Sequence, residues 1–115
     1  MITIKPLKGS YVKGYQVEGH ADFAEHGMDI VCSAISVLSQ SCLISLQRYG
    51  KVEWYMESGL LTVDVPVPSS YTNLLINSMV LGMSAVAKNY PEHVYIEREN
   101  HTQKGTNLHD ENARI

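Results

Sequence analysis

The sequence predicts an α/β protein of the α+β type, with elements in the order ββαββαβ and one mostly antiparallel sheet packed with two helices. Three observations carry that expectation. Two pairs of alternating apolar and polar runs, over 1–18 and 51–65, are each broken by a glycine–serine turn and read as hairpins. Two long stretches, 30–49 and 69–89, place apolar residues at helical spacing. A short alternating run at 93–97 follows the second of them.

The first hairpin alternates Ile2 and Ile4 with polar neighbours, turns at Gly9-Ser10, and returns with Tyr11, Lys13, Tyr15 and Val17 on one face. Residues 21–28 have no period and read as a loop, in which Phe23 and Met28 are the residues able to dock on a ligand. The first helix starts at Ile30, presents Val31, Ile35, Leu38, Cys42 and Leu46 on one stripe, and is stopped by Gly50. Asp29 is placed as its N-cap. The second hairpin sets Val52, Trp54 and Met56 against Lys51, Glu53, Tyr55 and Glu57, turns at Ser58-Gly59, and returns through Leu61, Val63 and Val65 until Pro66 and Pro68 end it. Ser69 or Ser70 caps the second helix, which ends near Asn89, before Pro91. A last strand follows, with Val94 and Ile96 facing inward. Residues 98–115 are polar and are assigned no structure, so the expected domain is 1–97.

A chain of 115 residues with 44% hydrophobic content is one domain with a core of its own. The net charge of −3 argues against a direct nucleic-acid partner. The first residues have no apolar core of signal-peptide length, and two cysteines make no disulfide framework, so a cytoplasmic location with reduced thiols is expected. Both helices lack charge, from Asp29 to Arg48 and from Asp64 to Lys88. A membrane span does not explain this, because Ser, Thr, Asn and Gln interrupt both stretches. Each helix then packs one face on the sheet and another on the other helix, a second copy or a substrate. A homodimer is the expectation.

The chemistry sits in residues 19–36. Cys32 lies at a helix start, where the dipole favours thiolate, and His20 lies at the end of the preceding strand. Together they have the parts of a cysteine nucleophile and its base. Asp29 either caps the helix or turns to His20 as a third member. The N–H groups of Cys32 and Ser33 are the expected oxyanion donors. Ser36, one turn on, either contacts substrate or simply lets another element approach. The plain alternative is that a cysteine in an apolar helix is a small buried hydrophobe. Cys42 fits that description; ten residues along the helix, about 15 Å from Cys32, it is beyond the ~7 Å reach of a disulfide. His26, His93, His101 and His109 read as exposed. A metal site from His20, His26 and Cys32 has unfamiliar spacing and no evident fourth ligand, so no metal is expected, and no phosphate-binding glycine loop is present.

The run Gly-His-Ala, a short loop with Gly27, then Asp-Ile-Val-Cys-Ser-Ala-Ile-Ser resembles the signature of the ribosomal-processing cysteine proteases. These small bacterial enzymes remove an N-terminal extension from large-subunit ribosomal protein twenty-seven. Element order extends the likeness over most of residues 1–97, but its specificity lies in 19–36. The resemblance implies that Cys32 is the nucleophile, His20 the general base and Asp29 a conditional third member, and the twelve-residue interval from His20 to Cys32 agrees with it. Ser33 departs from the alanine common there. The likeness further implies an α/β sandwich, a homodimer, a mobile loop between His20 and Cys32, no cofactor, and an extended peptide substrate with a bulky aromatic residue before the cleaved bond. Two other functions remain compatible with the residues: another acyl-transfer hydrolase using the same pair, and a non-catalytic ribosome-associated module in which Cys32 is core.

Overall fold

The computed structural model describes residues 1–19 and 28–97, the side chain of Met28 excepted. Its elements are β1 (Ile2–Pro6), β2 (Gly14–Glu18), α1 (Met28–Gln47), β3 (Glu53–Glu57), β4 (Leu60–Asp64), α2 (Ser70–Asn89) and β5 (Val94–Ile96). This is the ββαββαβ order that the alternation and spacing predict. The strands form one sheet in the order β3-β4-β2-β1-β5. Three of its pairings are antiparallel, and β5 joins β1 in parallel, opposite Ile2, Thr3 and Ile4.

Period-two alternation puts Ile2, Ile4, Tyr15, Leu61, Val63 and Val94 on the side of the sheet that is buried. Against them lie Val31, Ile35, Cys42, Leu43 and Leu46 of α1 and Ile76, Met79 and Met83 of α2, forming one core. Lys5, Glu18 and Asp64, at the intervening positions, stay exposed. Tyr15, fully buried, donates its hydroxyl to the Ser39 carbonyl at 2.7 Å and so fastens α1 over β2. The helices approach each other where Gly82 of α2 meets Leu38; a Cβ on residue 82 would stand 3.3 Å from that leucine. Ser69 is the N-cap of α2: its hydroxyl accepts the Thr72 N–H, and Thr72 returns a contact to the Ser69 N–H.

Several boundaries differ from the sequence expectation. The helix α1 begins at Met28, so Asp29 is its second residue and not its cap. The return strand of the first hairpin is paired only from Gly14, because Tyr11, Val12 and Lys13 form the connection. His93 is half-buried, with its carbonyl accepting from the Ile2 N–H at 2.8 Å, since the start of β5 packs beside β1.

The face of α1 turned from the sheet is apolar as well. Ile30, Val37 and Ile44, seven residues apart, are 64%, 67% and 63% exposed. On α2, Tyr71, Leu74 and Leu81 are exposed too, and Tyr71 stacks on Tyr49 at 5.7 Å between ring centroids. Asp29–Gln47 is long and apolar enough to cross a bilayer, with a mean hydropathy of 1.6. Here its other stripe belongs to the core, the placement of a sheet-covering helix.

Candidate active site

The site is built where β2 ends. Gly19 donates its N–H to the Gly59 carbonyl at 2.9 Å, which holds the end of β2 beside the Ser58-Gly59 turn. Gly19 has φ +134°, and a Cβ there would run into the Met1 carbonyl. Only glycine fits this convergence of β1, β2 and the β3–β4 turn. His20 is the next residue; with Phe23 it lies outside the described residues, as does the side chain of Met28.

The chain is described again in α1, whose first turn carries the exposed Asp29. Cys32, the fifth residue of the helix, is half-buried and packs against the core, whereas Ser33 points to solvent. In a helix starting at Met28, the N–H groups of Met28, Asp29 and Ile30 lack a partner four residues back, while those of Cys32 and Ser33 have one. The free donors at the helix start therefore sit a turn earlier than the sequence suggested. Burial and then the Asp29 carboxylate push the Cys32 thiol above its ordinary value, and the positive amino terminus of the chain partly offsets them. Cys42 is deeper, with its thiol aimed at the Leu75 carbonyl at 3.7 Å, and burial pushes it up to about 11. Both thiols are free.

A groove of about 160 Å³ opens between α1 and the β3–β4 hairpin. Ser36, Ser39 and Gln40 form its helical wall, Met56 and Glu57 the facing wall, and Val17, Ile35 and Leu61 contribute its apolar lining. It reaches Gly19, the residue before His20, and Ser36, one turn beyond Cys32. Ser36 is thus brought to a concave surface; Ser33 is not among its lining residues. Sequence reasoning missed Gln40, Met56 and Glu57. The available signal was a charge-free helix whose polar residues, Ser36, Ser39 and Gln40, recur at helical spacing, which marks a second used face. Among the described residues, no three His, Cys, Asp or Glu side chains come together as a metal site.

A half-buried thiol near a helix start, one turn from an open groove, is what a cysteine nucleophile requires of its own element. The sequence profile of the family described as cysteine protease Prp matches residues 1–95, and the chain belongs to that family. It is a cysteine peptidase, and the reading as a non-catalytic module gives way. A curated relative, the ribosomal processing cysteine protease Prp of Mycoplasma genitalium, is 31% identical over 94 residues, covering 73% of this chain and 86% of that protein. SMU.848 of Streptococcus mutans, a solved structure, shares 27% identity with a TM-score of 0.74, covering 84% of this chain and 92% of that one. The Prp protease of Staphylococcus aureus, solved with a substrate peptide, has the same fold, with a TM-score of 0.77 at 19% identity over 86% of this chain and all of that one.

The position of Asp29 yields a pH test. Its carboxylate disfavours the Cys32 thiolate, so Asp29→Asn lowers the thiol pKa and raises the thiolate fraction at any pH below it. The pH profile of Cys32 alkylation by iodoacetamide, resolved by residue, shifts to lower pH in this variant. An unchanged or upward-shifted profile contradicts that electrostatic role.

Proposed function

We propose that the protein is a ribosomal-processing endopeptidase that removes the N-terminal extension of large-subunit ribosomal protein twenty-seven, with Cys32 as nucleophile and His20 as general base. The observation that carries this is the family match over residues 1–95 together with the placement of Cys32 near the start of α1, one turn before Ser36 of the open groove. The name of the Mycoplasma relative, a ribosomal processing cysteine protease, supports a ribosomal peptide substrate. So do the Staphylococcus structures, one with a substrate peptide and one with a covalently linked product peptide. The net charge of −3 suits a protein substrate better than a nucleic acid, and two free thiols suit the reducing cytoplasm.

In this mechanism His20 takes the Cys32 proton and the thiolate attacks the peptide carbonyl, forming a carbon–sulfur bond. The developing oxyanion is held by free N–H groups at the helix start. His20 then protonates the leaving amine, and water releases the acyl group and restores the thiol. Asp29, not being the cap, serves as the positioning residue for His20. Phe23, before the helix, and Met28, at its first position, are the proposed contacts of the bound peptide, and Ser36 lines its path in the groove.

Cleavage of a peptide spanning the extension tests the assignment. Cys32→Ala abolishes it while circular dichroism stays native, and His20→Ala lowers it by roughly 10²–10⁴-fold. A folded Cys32→Ala protein that still cleaves at the wild-type rate contradicts the mechanism.

The assembly reading is a homodimer, supported by the exposed stripe of Ile30, Val37 and Ile44 and the neighbouring Tyr71, Leu74 and Leu81. Two such charge-free faces left in water would make an unusually large apolar surface. Sedimentation at micromolar concentration is expected to give twice the chain mass, and Ile44→Lys to shift it toward one. A wild-type monomer at that concentration rules the dimer out.

A further inference from the structure

The register of the sheet fixes which backbone groups of β3 are spare. Gly19 donates to the Gly59 carbonyl at 2.9 Å and Val65 to the Lys13 carbonyl at 2.8 Å, on either side of the β2–β4 pairing. In an antiparallel ladder, hydrogen-bonded positions alternate. Residues 59, 61, 63 and 65 therefore turn their main-chain groups to β2, and Leu60, Thr62 and Asp64 turn theirs to β3. Their partners across β3 are Glu57, Tyr55 and Glu53. That leaves the N–H and C=O of Trp54 and Met56 pointing off the edge of the sheet.

These two residues also lean toward the site. They pair with Val63 and Leu61, both buried on the helix side, so their side chains lie on that side too. With no helix above them they are 50% and 43% exposed. Met56 forms a wall of the groove whose opposite wall is Ser36 and Gln40 of α1. The other sheet edge, β5, has three residues and lies on the far side of β4, β2 and β1.

A row of spare donors and acceptors repeating every second residue, roughly 7 Å apart, is matched by another extended chain. The adjoining groove, about 160 Å³ and lined by both polar and apolar residues, has room for one side chain. We propose that the peptide substrate binds as an added strand on β3, exchanging main-chain hydrogen bonds with Trp54 and Met56 and directing alternate side chains into the groove against α1. The inference rests on the protease reading above and adds where, and through which atoms, the chain is held. It makes the backbone of Trp54 and Met56 a binding element that tolerates sequence, and the groove between Met56 and Gln40 one that discriminates between side chains.

The test is a scan of single N-methyl groups along the peptide, with binding to Cys32→Ala protein followed by fluorescence anisotropy. In an added strand only every second amide faces β3. Methylation at those positions weakens binding by roughly fivefold or more, the loss of one hydrogen bond, and the amides between them tolerate it. Loss at every position alike, or at none, overturns the proposal. On the protein side, Met56→Pro removes only an outward N–H, a place where edge strands accept proline. It weakens binding relative to Met56→Ala; equal binding by the two folded variants overturns strand addition. If β3 instead joins two copies, Met56→Pro lowers the sedimenting mass and peptide binding shows no alternation, which also overturns it. Cleavage of the unmethylated peptide by the wild-type protein reports on the protease reading separately.

Discussion

The hydrogen bond from Gly19 to the Gly59 carbonyl is the contact on which the site depends. It brings the end of β2 to the β3–β4 turn, while the missing side chain lets Met1 approach from the other side. A Cβ at this φ would strain the backbone by about 1–3 kcal/mol and would push apart the strand ends it now joins. His20 is the residue that follows this contact in the sequence. The groove opens at this junction, with Gly19 and Gly59 among its residues and α1 above.

The second fixed point is the hold of β2 on α1. The hydroxyl of Tyr15 reaches the Ser39 carbonyl, and Val31, Ile35 and Leu46 bury along the same stripe. Together these set the rotation of the helix about its axis, and with it the depth of each cysteine. Cys42 falls inside the stripe, where burial holds its thiol protonated well past neutrality. Cys32 falls at its margin, half-buried and one turn from solvent-facing Asp29. One helix thus carries an inert thiol and an accessible one. Burial and then Asp29 favour the thiol form of Cys32, and the amino terminus of the chain favours the thiolate, as does the nearby helix start. An approaching imidazolium would add to the latter effect.

The local order of the fold was legible because its signals are local. Alternation marked both hairpins, helical spacing placed α1 and α2 within two residues of their bounds, and the cap of α2 was narrowed to Ser69 or Ser70, of which Ser69 is the one. The sheet order was not, because no short-range pattern says that β2 lies between β1 and β4 or that β5 pairs with β1 in parallel. The alternation of Trp54 and Met56 resembles that of a half-buried strand, yet β3 lies beyond the cover of the helices and both stay exposed. At the site, the identity of Cys32 as the distinctive residue came from its neighbours in the motif. Of the two roles left open for Asp29, capping is excluded because the helix starts at Met28, two residues before the expected Ile30, a shift that periodicity does not resolve. Met56, Glu57 and Gln40 were invisible as a group because the groove joins segments distant in sequence.

The central claim is that Cys32 forms the covalent intermediate of peptide cleavage. It is tested most directly by mixing the protein with the extension peptide, quenching in acid within the first turnover, and mapping the adduct by mass spectrometry. The account predicts a thioester on Cys32 whose added mass is the segment N-terminal to the cleaved bond, with Cys42 unmodified. Cleavage that proceeds through an acyl group on another residue would contradict it.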